Sequence, residues 1–268
     1  MKNKIFIIII NYNGIDDTRE CVKSIYENVQ NLFTIKTIIV DNASDSYNKI
    51  KLNELRAEYC DVEIIFNSCN LGFAKANNIG MKFVQDKYGV EENSYIWFLN
   101  NDTLVNQILL KNLSNNLPHK KVALYFEMRN FENRIINNGL NYLNPFFGRY
   151  SETFKKNYIE YICGASIFLK YTKDVPYWNE EYFLYFEDVD YSLRLKRVGF
   201  SFETVANCWY NHKVNGSSKK NSKVNIYKLQ SQKKFMKENG KCYSLFIFSK
   251  FVYLLFKRNF SSLEVFIK

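Results

Sequence analysis

Proline is scarce in this 268-residue chain, with three residues, and histidine is scarcer still, with two. So few prolines, and no low-complexity run, leave little room for a disordered linker. No stretch reaches the roughly 18 consecutive apolar residues of a membrane-spanning helix. The cysteines (Cys21, Cys60, Cys69, Cys163, Cys208, Cys242) form no C-x-x-C pair, which argues against a zinc ribbon. They are also too dispersed for a secreted disulfide framework, so free thiols in a reducing cytosol are expected. The first turn lacks G-x-G-x-x-G, and G-x-x-x-x-G-K-[ST] occurs nowhere, which disfavours both the dinucleotide fold and the P-loop. Behind Lys2 and Lys4, the apolar run Ile5–Ile10 stops at Asn11 without a small-residue cleavage site. It reads as a buried strand rather than a signal peptide.

What is present is a core and an excess of positive charge. Hydrophobic residues make up 47% of the chain, enough for one large α/β domain or a domain with an appendage. The formal charge of +10 raises nucleic acid as a partner, but no recognition-helix, zinc-finger or RNP-like pattern accompanies it, so nucleic acid is disfavoured. Toward the C-terminus, Tyr243–Phe256 is apolar except for Ser249 and Lys250, and is flanked by Lys233, Lys234, Lys237, Lys241, Lys257 and Arg258. Two readings of this amphipathic tail stand: a helix in the interface of an anionic membrane, or a terminal helix packed on the domain.

Candidate strands Ile5–Ile10, Ile35–Val40, Val62–Phe66 and Tyr95–Leu99 alternate with helical periodicity, carried by Cys21, Val22, Ile25 and Val29, then by Phe73, Ala76, Ile79, Gly80 and Phe83. Asp16 or Asp17, and Ser44 or Asp45, are the expected helix caps. This alternation predicts a mostly parallel sheet flanked by helices, with ligands beyond the carboxyl ends of the strands. A helix is expected over Leu104–Leu117, no clear period over Val122–Tyr158, a strand over Ile162–Leu169 broken by Gly164-Ala165, and a strand over Phe200–Val205.

Every one of the first four strand ends is polar. The least ordinary segment lies further on, where Glu187-Asp188-Val189-Asp190 follows the aromatic run Tyr182–Phe186. Like charges this close raise one another's pKa, and apolar surroundings raise it further, as suits a proton acceptor. The same acids would also suit the start of the helix expected over Tyr191–Val198, with Asp190 as its cap.

Six strings, in order, resemble the family 2 glycosyltransferases, in particular bacterial rhamnosyltransferase-like members with a GT-A fold. They are Ile9-Ile10-Asn11-Tyr12-Asn13-Gly14, Asp41-Asn42-Ala43-Ser44, Asn70-Leu71-Gly72-Phe73-Ala74 with Asn77-Asn78-Ile79-Gly80, Phe98-Leu99-Asn100-Asn101-Asp102-Thr103, Gly164-Ala165, and Phe183-Leu184-Tyr185-Phe186-Glu187-Asp188-Val189-Asp190. The resemblance covers roughly residues 4 to 215. It implies a GT-A domain over 1–240, with a nucleotide-binding half (1–103) and an acceptor-binding half (104–240), followed by a short helical tail (241–268).

The resemblance also implies roles. Asn11, Tyr12, Asn13, Asp41, Asn42, Ser44, Asn70, Gly72, Phe73, Asn77 and Asn101 would line the nucleotide pocket, with Asp41 accepting from uracil or thymine N3–H. Asp41 also reads as a plain Asx turn, and Phe73 as core. Asp102 would ligate a divalent cation, Mg or Mn, although two asparagines precede this single acid where the family carries a D-x-D-like motif. His212 would be the second ligand, or a structural histidine; Lys213, Lys219 and Lys220 would face phosphates or solvent. Asp188 would be the base of an inverting transfer, with Glu187 orienting the acceptor. Gly164, Ala165 and Trp178 would meet the acceptor, although aromatic runs are more often core. The implied activity moves a sugar from a UDP- or dTDP-linked donor to a cell-surface glycan, possibly lipid-linked. A sugar nucleotidyltransferase and a non-catalytic sugar-nucleotide-binding partner are the alternatives.

Overall fold

The computed structural model describes residues 2–119, 121–213 and 222–257, together with Ser262, Val265 and Phe266. Its first hundred residues fold as β1 (Lys4–Asn11), α1 (Ile15–Val29), β2 (Thr34–Asp41), α2 (Ser46–Glu58), β3 (Val62–Phe66), α3 (Phe73–Tyr88) and β4 (Ser94–Leu99). All four expected strands form, extended by at most one residue at an end. Strand β1 pairs in parallel with β2 and β4, and β2 in parallel with β3. The isoleucine run of β1 is buried on both faces, as a central parallel strand must be. Ile5, Ile7 and Ile9 pack with Cys21, Val22 and Ile25 of α1, whereas Phe6 and Ile8 pack with Ala76, Met81 and Val84 of α3. The period of two in the strand thus meets two helical stripes.

Helix α2 is capped by Asp45, whose side chain accepts from Asn48 N–H at 2.9 Å. Helix α1 is not capped by an acid: Gly14 sits at the cap, and Asp16 and Asp17 fall in the first turn, where the helix dipole favours them.

The second half consists of β5 (Thr103–Leu104), α4 (Gln107–Asn115), β6 (Val122–Arg129), β7 (Ile135–Asn137), β8 (Leu140–Leu143), β9 (Tyr150–Ser151), β10 (Ile159–Ile162), β11 (Ser166–Lys170), α5 (Glu187–Arg197), β12 (Ser201–His212), α6 (Ser222–Asn239) and α7 (Tyr243–Phe256). The main sheet runs β3-β2-β1-β4-β11-β6-β12-β5, with β7 attached to β6. β11 is antiparallel to both neighbours, β5 is antiparallel to β12 and β7 to β6, while β12 is parallel to β6. The sheet is therefore mixed, parallel over its first four strands and largely antiparallel beyond them, where a mostly parallel sheet was expected.

The strand expected over Ile162–Leu169 is two strands. β10 joins a small sheet ordered β10-β8-β9, β11 joins the main sheet, and Gly164-Ala165 lies in the corner between them. The helix expected from Leu104 starts later, because Leu104 pairs with Asn211 in β12 and Asn106 caps α4 through Leu109 N–H at 2.9 Å. The strand expected over Phe200–Val205 continues to His212.

Helices α6 and α7 pack on the acid-bearing loop: Phe235, Met236, Phe246 and Leu254 share a cluster with Tyr182, Phe186 and Val189. One face of α7 is thus packed, while Phe248 and Phe256 on the other are 67% and 84% exposed. Among the described residues no helix is long and apolar enough to cross a membrane.

Candidate active site

β1 and β2 end in register, with Asn11 opposite Asp41, so the turns that follow them adjoin. Asn11 is fully buried; its Nδ2 donates to Asp41 Oδ1 (2.8 Å) and Ser44 Oγ (3.1 Å), and its Oδ1 accepts from Thr18 Oγ1 (2.8 Å). Ser44 N–H donates to Asp41 Oδ2 at 3.0 Å, and Ser44 Oγ accepts from Asn13 N–H at 2.8 Å. Asn101, after β4, donates to Thr18 Oγ1 (3.0 Å) and to the Gly14 carbonyl (3.2 Å). Asp41 is itself fully buried, so here its carboxylate fixes two turns against each other. Tyr12, 52% exposed, stands outside this network at the rim.

Asn42 extends the network to the third turn. Its Nδ2 donates to Asn70 Oδ1 (2.9 Å) and the Gly72 carbonyl (3.2 Å), and its Oδ1 accepts from Leu71 N–H (3.0 Å). Gly72 lies at φ +82°, and a Cβ there would come within 2.5 Å of the Phe183 carbonyl oxygen. Phe73 N–H donates to that same carbonyl at 2.9 Å, which joins the third turn to the segment leading into the acids. Asn77 donates to the Phe73 carbonyl at 3.0 Å, and Asn78 brackets the backbone of Trp178 at 2.8 and 2.9 Å. These two polar residues on the helix are therefore accounted for by buried hydrogen bonds.

The short β5 pairs Thr103 with His212, and Lys213 N–H donates to the Asp102 carbonyl at 3.0 Å. This register leaves Asp102 Oδ1 3.2 Å from His212 Nε2. Both atoms are buried and, despite the close approach, neither has a hydrogen bond among the described residues. A carboxylate oxygen facing an imidazole nitrogen without an aligned donor fits a shared divalent cation. No group of three His, Cys, Asp or Glu able to hold a metal occurs among the described residues. Two protein ligands would therefore leave the other positions to phosphates and water. Lys213 is engaged by Asp17 and Glu20 at 2.5 and 2.8 Å, which turns it from phosphates, and Lys219 and Lys220 lie outside the described residues.

Helix α5 begins at Glu187, so the acids form its first turn. Its cap is Phe186, and Tyr185 and Phe186 both take left-handed backbone at φ +66°. Each such non-glycine residue costs on the order of 1–3 kcal/mol, a strain typical of functional sites. Asp190 is not a cap, because it lies within the helix with its N–H donating to the Phe186 carbonyl, and its carboxylate accepts from Arg194 Nε at 2.5 Å. Asp188 Oδ2 accepts from Gly164 N–H at 3.2 Å and Oδ1 from Val189 N–H at 2.9 Å. Burial raises the pKa of Asp188, and these backbone donors partly oppose the rise. Burial pushes Glu187 well above the ordinary glutamate range, the Asp188 charge adds to this, and Glu187 Oε2 has no partner among the described residues. Burial thus raises both adjacent acids, and the backbone donors of Gly164 and Val189 hold the Asp188 carboxylate while Glu187 Oε2 lacks a partner.

The profile of glycosyl transferase family 2 matches residues 6–175, well over half of the chain. The chain belongs to glycosyl transferase family 2. Among solved structures it is similar to the mannosyltransferase PcManGT from Pyrobaculum calidifontis in complex with GDP-Man and Mn2+, at 15% identity and a TM-score of 0.62 over 92% of this chain and 67% of that one. It is similar to GalNAc-T7 with UDP, GalNAc and Mn2+, at 12% identity and a TM-score of 0.63 over 86% of this chain. It also resembles S. aureus TarS 1-349 in complex with UDP-GlcNAc, at 14% identity and a TM-score of 0.57 over 89% of this chain and 67% of that one. At such identities the likeness shows the GT-A fold alone. This glycosyltransferase spans 47% of GalNAc-T7 and 41% of the longer TarS chain. No curated protein sequence matches it.

Within this family 2 glycosyltransferase the three residues expected at the acceptor part company. Gly164 touches the acids directly: a Cβ there would lie 3.0 Å from Asp188 Cβ. Ala165 is buried, and its carbonyl accepts from Asn100 N–H at 2.9 Å. Trp178 is 2% exposed and stacks on Tyr191 with ring centroids 4.0 Å apart, so its indole is core between α3 and α5 and offers no face to a sugar. Thr18 and Phe183 were not anticipated as site residues. Thr18 links Asn11 to Asn101, and the carbonyl of Phe183 joins the two sides of the site. No local sequence signal marks either contact.

Proposed function

We propose that this glycosyltransferase is an inverting enzyme of the rhamnosyltransferase-like kind, moving a sugar from a UDP- or dTDP-linked donor to a hydroxyl of a growing cell-surface glycan. The observation that carries this reading is the setting of Asp188, half-buried at the start of α5 and held by the N–H groups of Gly164 and Val189 beside the buried Glu187. As the acceptor oxygen bonds to the anomeric carbon and the bond to the diphosphate breaks, Asp188 takes the hydroxyl proton. Glu187, neutral, orients the acceptor as a hydrogen-bond donor. The network of Asn11, Asp41, Ser44 and Asn101 shapes the nucleoside pocket, with Tyr12 at its rim, and Asp41 acts there through the turns it holds.

Asp102 and His212 would hold a Mg or Mn ion, which when bound neutralises diphosphate charge. That PcManGT and GalNAc-T7 were solved with Mn2+ and nucleotide or sugar-nucleotide ligands supports the assignment. The exposed apolar side of α7, with Lys241 and Lys257 at its ends, supports a peripheral position on an anionic inner membrane face.

A screen of UDP- and dTDP-sugars for nucleotide release tests the reading. Asp188→Asn should abolish transfer and leave nucleotide binding near normal. Substantial turnover in this variant would remove Asp188 as base. The single carboxylate at Asp102 favours, as a second reading, a sugar-nucleotide-binding partner without turnover. Metal-independent nucleotide affinity and no release with any donor would support it.

A further inference from the structure

The four residues that lead into the acids are each engaged by a different residue of α6. The ring of Phe183 lies against Tyr227 with centroids 4.6 Å apart. The Leu184 carbonyl accepts from Ser231 Oγ at 2.9 Å. The ammonium of Lys228 stands 5.3 Å from the ring centroid of Tyr185, and the rings of Phe186 and Phe235 are 5.6 Å apart. Positions 227, 228, 231 and 235 share one face of a helix, because residues three and four apart are neighbours. One stripe of α6 therefore follows the segment from Phe183 to Phe186.

That segment is where the backbone is strained. Tyr185 and Phe186 both lie at φ +66°, a region that Gly, Asn and Asp visit but bulky residues avoid. Backbone of this kind persists only where its surroundings over-determine it. Phe73 N–H fixes the near end of the segment through the Phe183 carbonyl, and α6 engages the rest. Ser231 makes the contact more than packing. Serines in helices commonly turn their hydroxyls onto their own backbone, as Ser24, Ser114 and Ser249 do to the carbonyl three residues back. Ser231, 7% exposed, instead donates across to Leu184. A change of φ at Tyr185 or Phe186 would swing the first turn of α5, and Asp188 with it, away from Gly164 N–H.

We propose that Ser231, supported by Tyr227, Lys228 and Phe235, is a positioning residue: it locks the left-handed Tyr185-Phe186 backbone so that the Asp188 carboxylate meets the acceptor hydroxyl. This rests on the reading of Asp188 as the acceptor's base. All four residues lie beyond the stretch that the family profile matches. The acids are aimed from two sides, by Gly164 in the corner between the sheets and by α6 through the backbone that precedes them.

Ser231→Ala in the full chain tests the role by amide exchange and by turnover, read as nucleotide release from a UDP- or dTDP-sugar. Alanine is the best helix former, so α6 itself should persist and Tm should change little. The N–H groups of Gly164 and Val189, which bind the Asp188 carboxylate, should exchange about tenfold faster, while exchange in β1 stays unchanged. Turnover should fall by about tenfold or more at unchanged KM for the donor, as misplacement of a base requires. Ser231→Thr keeps the hydroxyl and should restore both readouts. Ser249→Ala removes a helix hydroxyl bonded within α7 and should move neither. Unchanged exchange at both amides, or kcat within about twofold of the unmutated chain, would overturn the positioning role. An equal loss in Ser231→Thr or in Ser249→Ala would do the same. Exchange needs no substrate, so it reads the hold of α6 on Asp188 apart from the reaction. An Asp188→Asn chain that still transfers sugar would end the base reading and leave the exchange result standing.

Discussion

Glu187 and Asp188 are neighbours in the chain and burial raises both, but Asp188 is held by the N–H groups of Gly164 and Val189 while Glu187 Oε2 has no partner among the described residues. Glu187 has the raised folded-state pKa of a buried acid without a partner. Such a group favours the folded state fully below its unfolded value, near 4.5, and loses that contribution as pH rises through the higher folded value. Glu187→Gln should therefore raise Tm at pH 8 and flatten the decline of Tm above about pH 4.5; thermal melts across pH check this. As the proposed base Asp188 must be ionised, so transfer should fall as pH drops through its raised pKa, giving an acid limb above the ordinary aspartate range. Gly164→Ala is a sharper probe of position. The added methyl would meet Asp188 Cβ at 3.0 Å and displace the carboxylate. Transfer should fall by up to about 100-fold with the melting profile nearly unchanged.

At the level of elements, the polar turns act as one structure. Asn11 at the end of β1 binds Asp41, Ser44 and Thr18, which belong to the second turn and to α1. Asn11→Ala would leave these buried groups short of partners and should cost about 1–3 kcal/mol, measurable by denaturant unfolding. The β5–β12 pairing has the corresponding role for the proposed metal ligands, since it brings residue 102 to residue 212. Mn2+ with UDP should raise Tm of the unmutated chain by binding only the folded state, and His212→Ala should remove most of that rise.

At the scale of the molecule, the first four strands, their flanking helices and the acids were legible because each is a local pattern: an apolar run, a helical stripe, a polar turn at a strand end. The boundaries that failed did so where pairing partners were distant. Leu104 left its expected helix because Asn211 is its strand neighbour, and Ile162–Leu169 divided because two sheets meet at Gly164-Ala165. Asp190 looked like a cap, but the helix begins at Glu187 behind Phe186, which leaves Asp190 inside it and one turn from Arg194. Trp178 looked available to a sugar until Tyr191, on α5, covered its face.

The sequence by itself determined the alternation of strands and helices, the placing of polar turns at strand ends, and the family, because these depend on residue type and short spacing. Only the tertiary structure decided which of those polar residues act together. Asp102 and His212 come from segments far apart in the chain. Their juxtaposition follows from sheet register, which is set by hydrophobic burial across the whole fold.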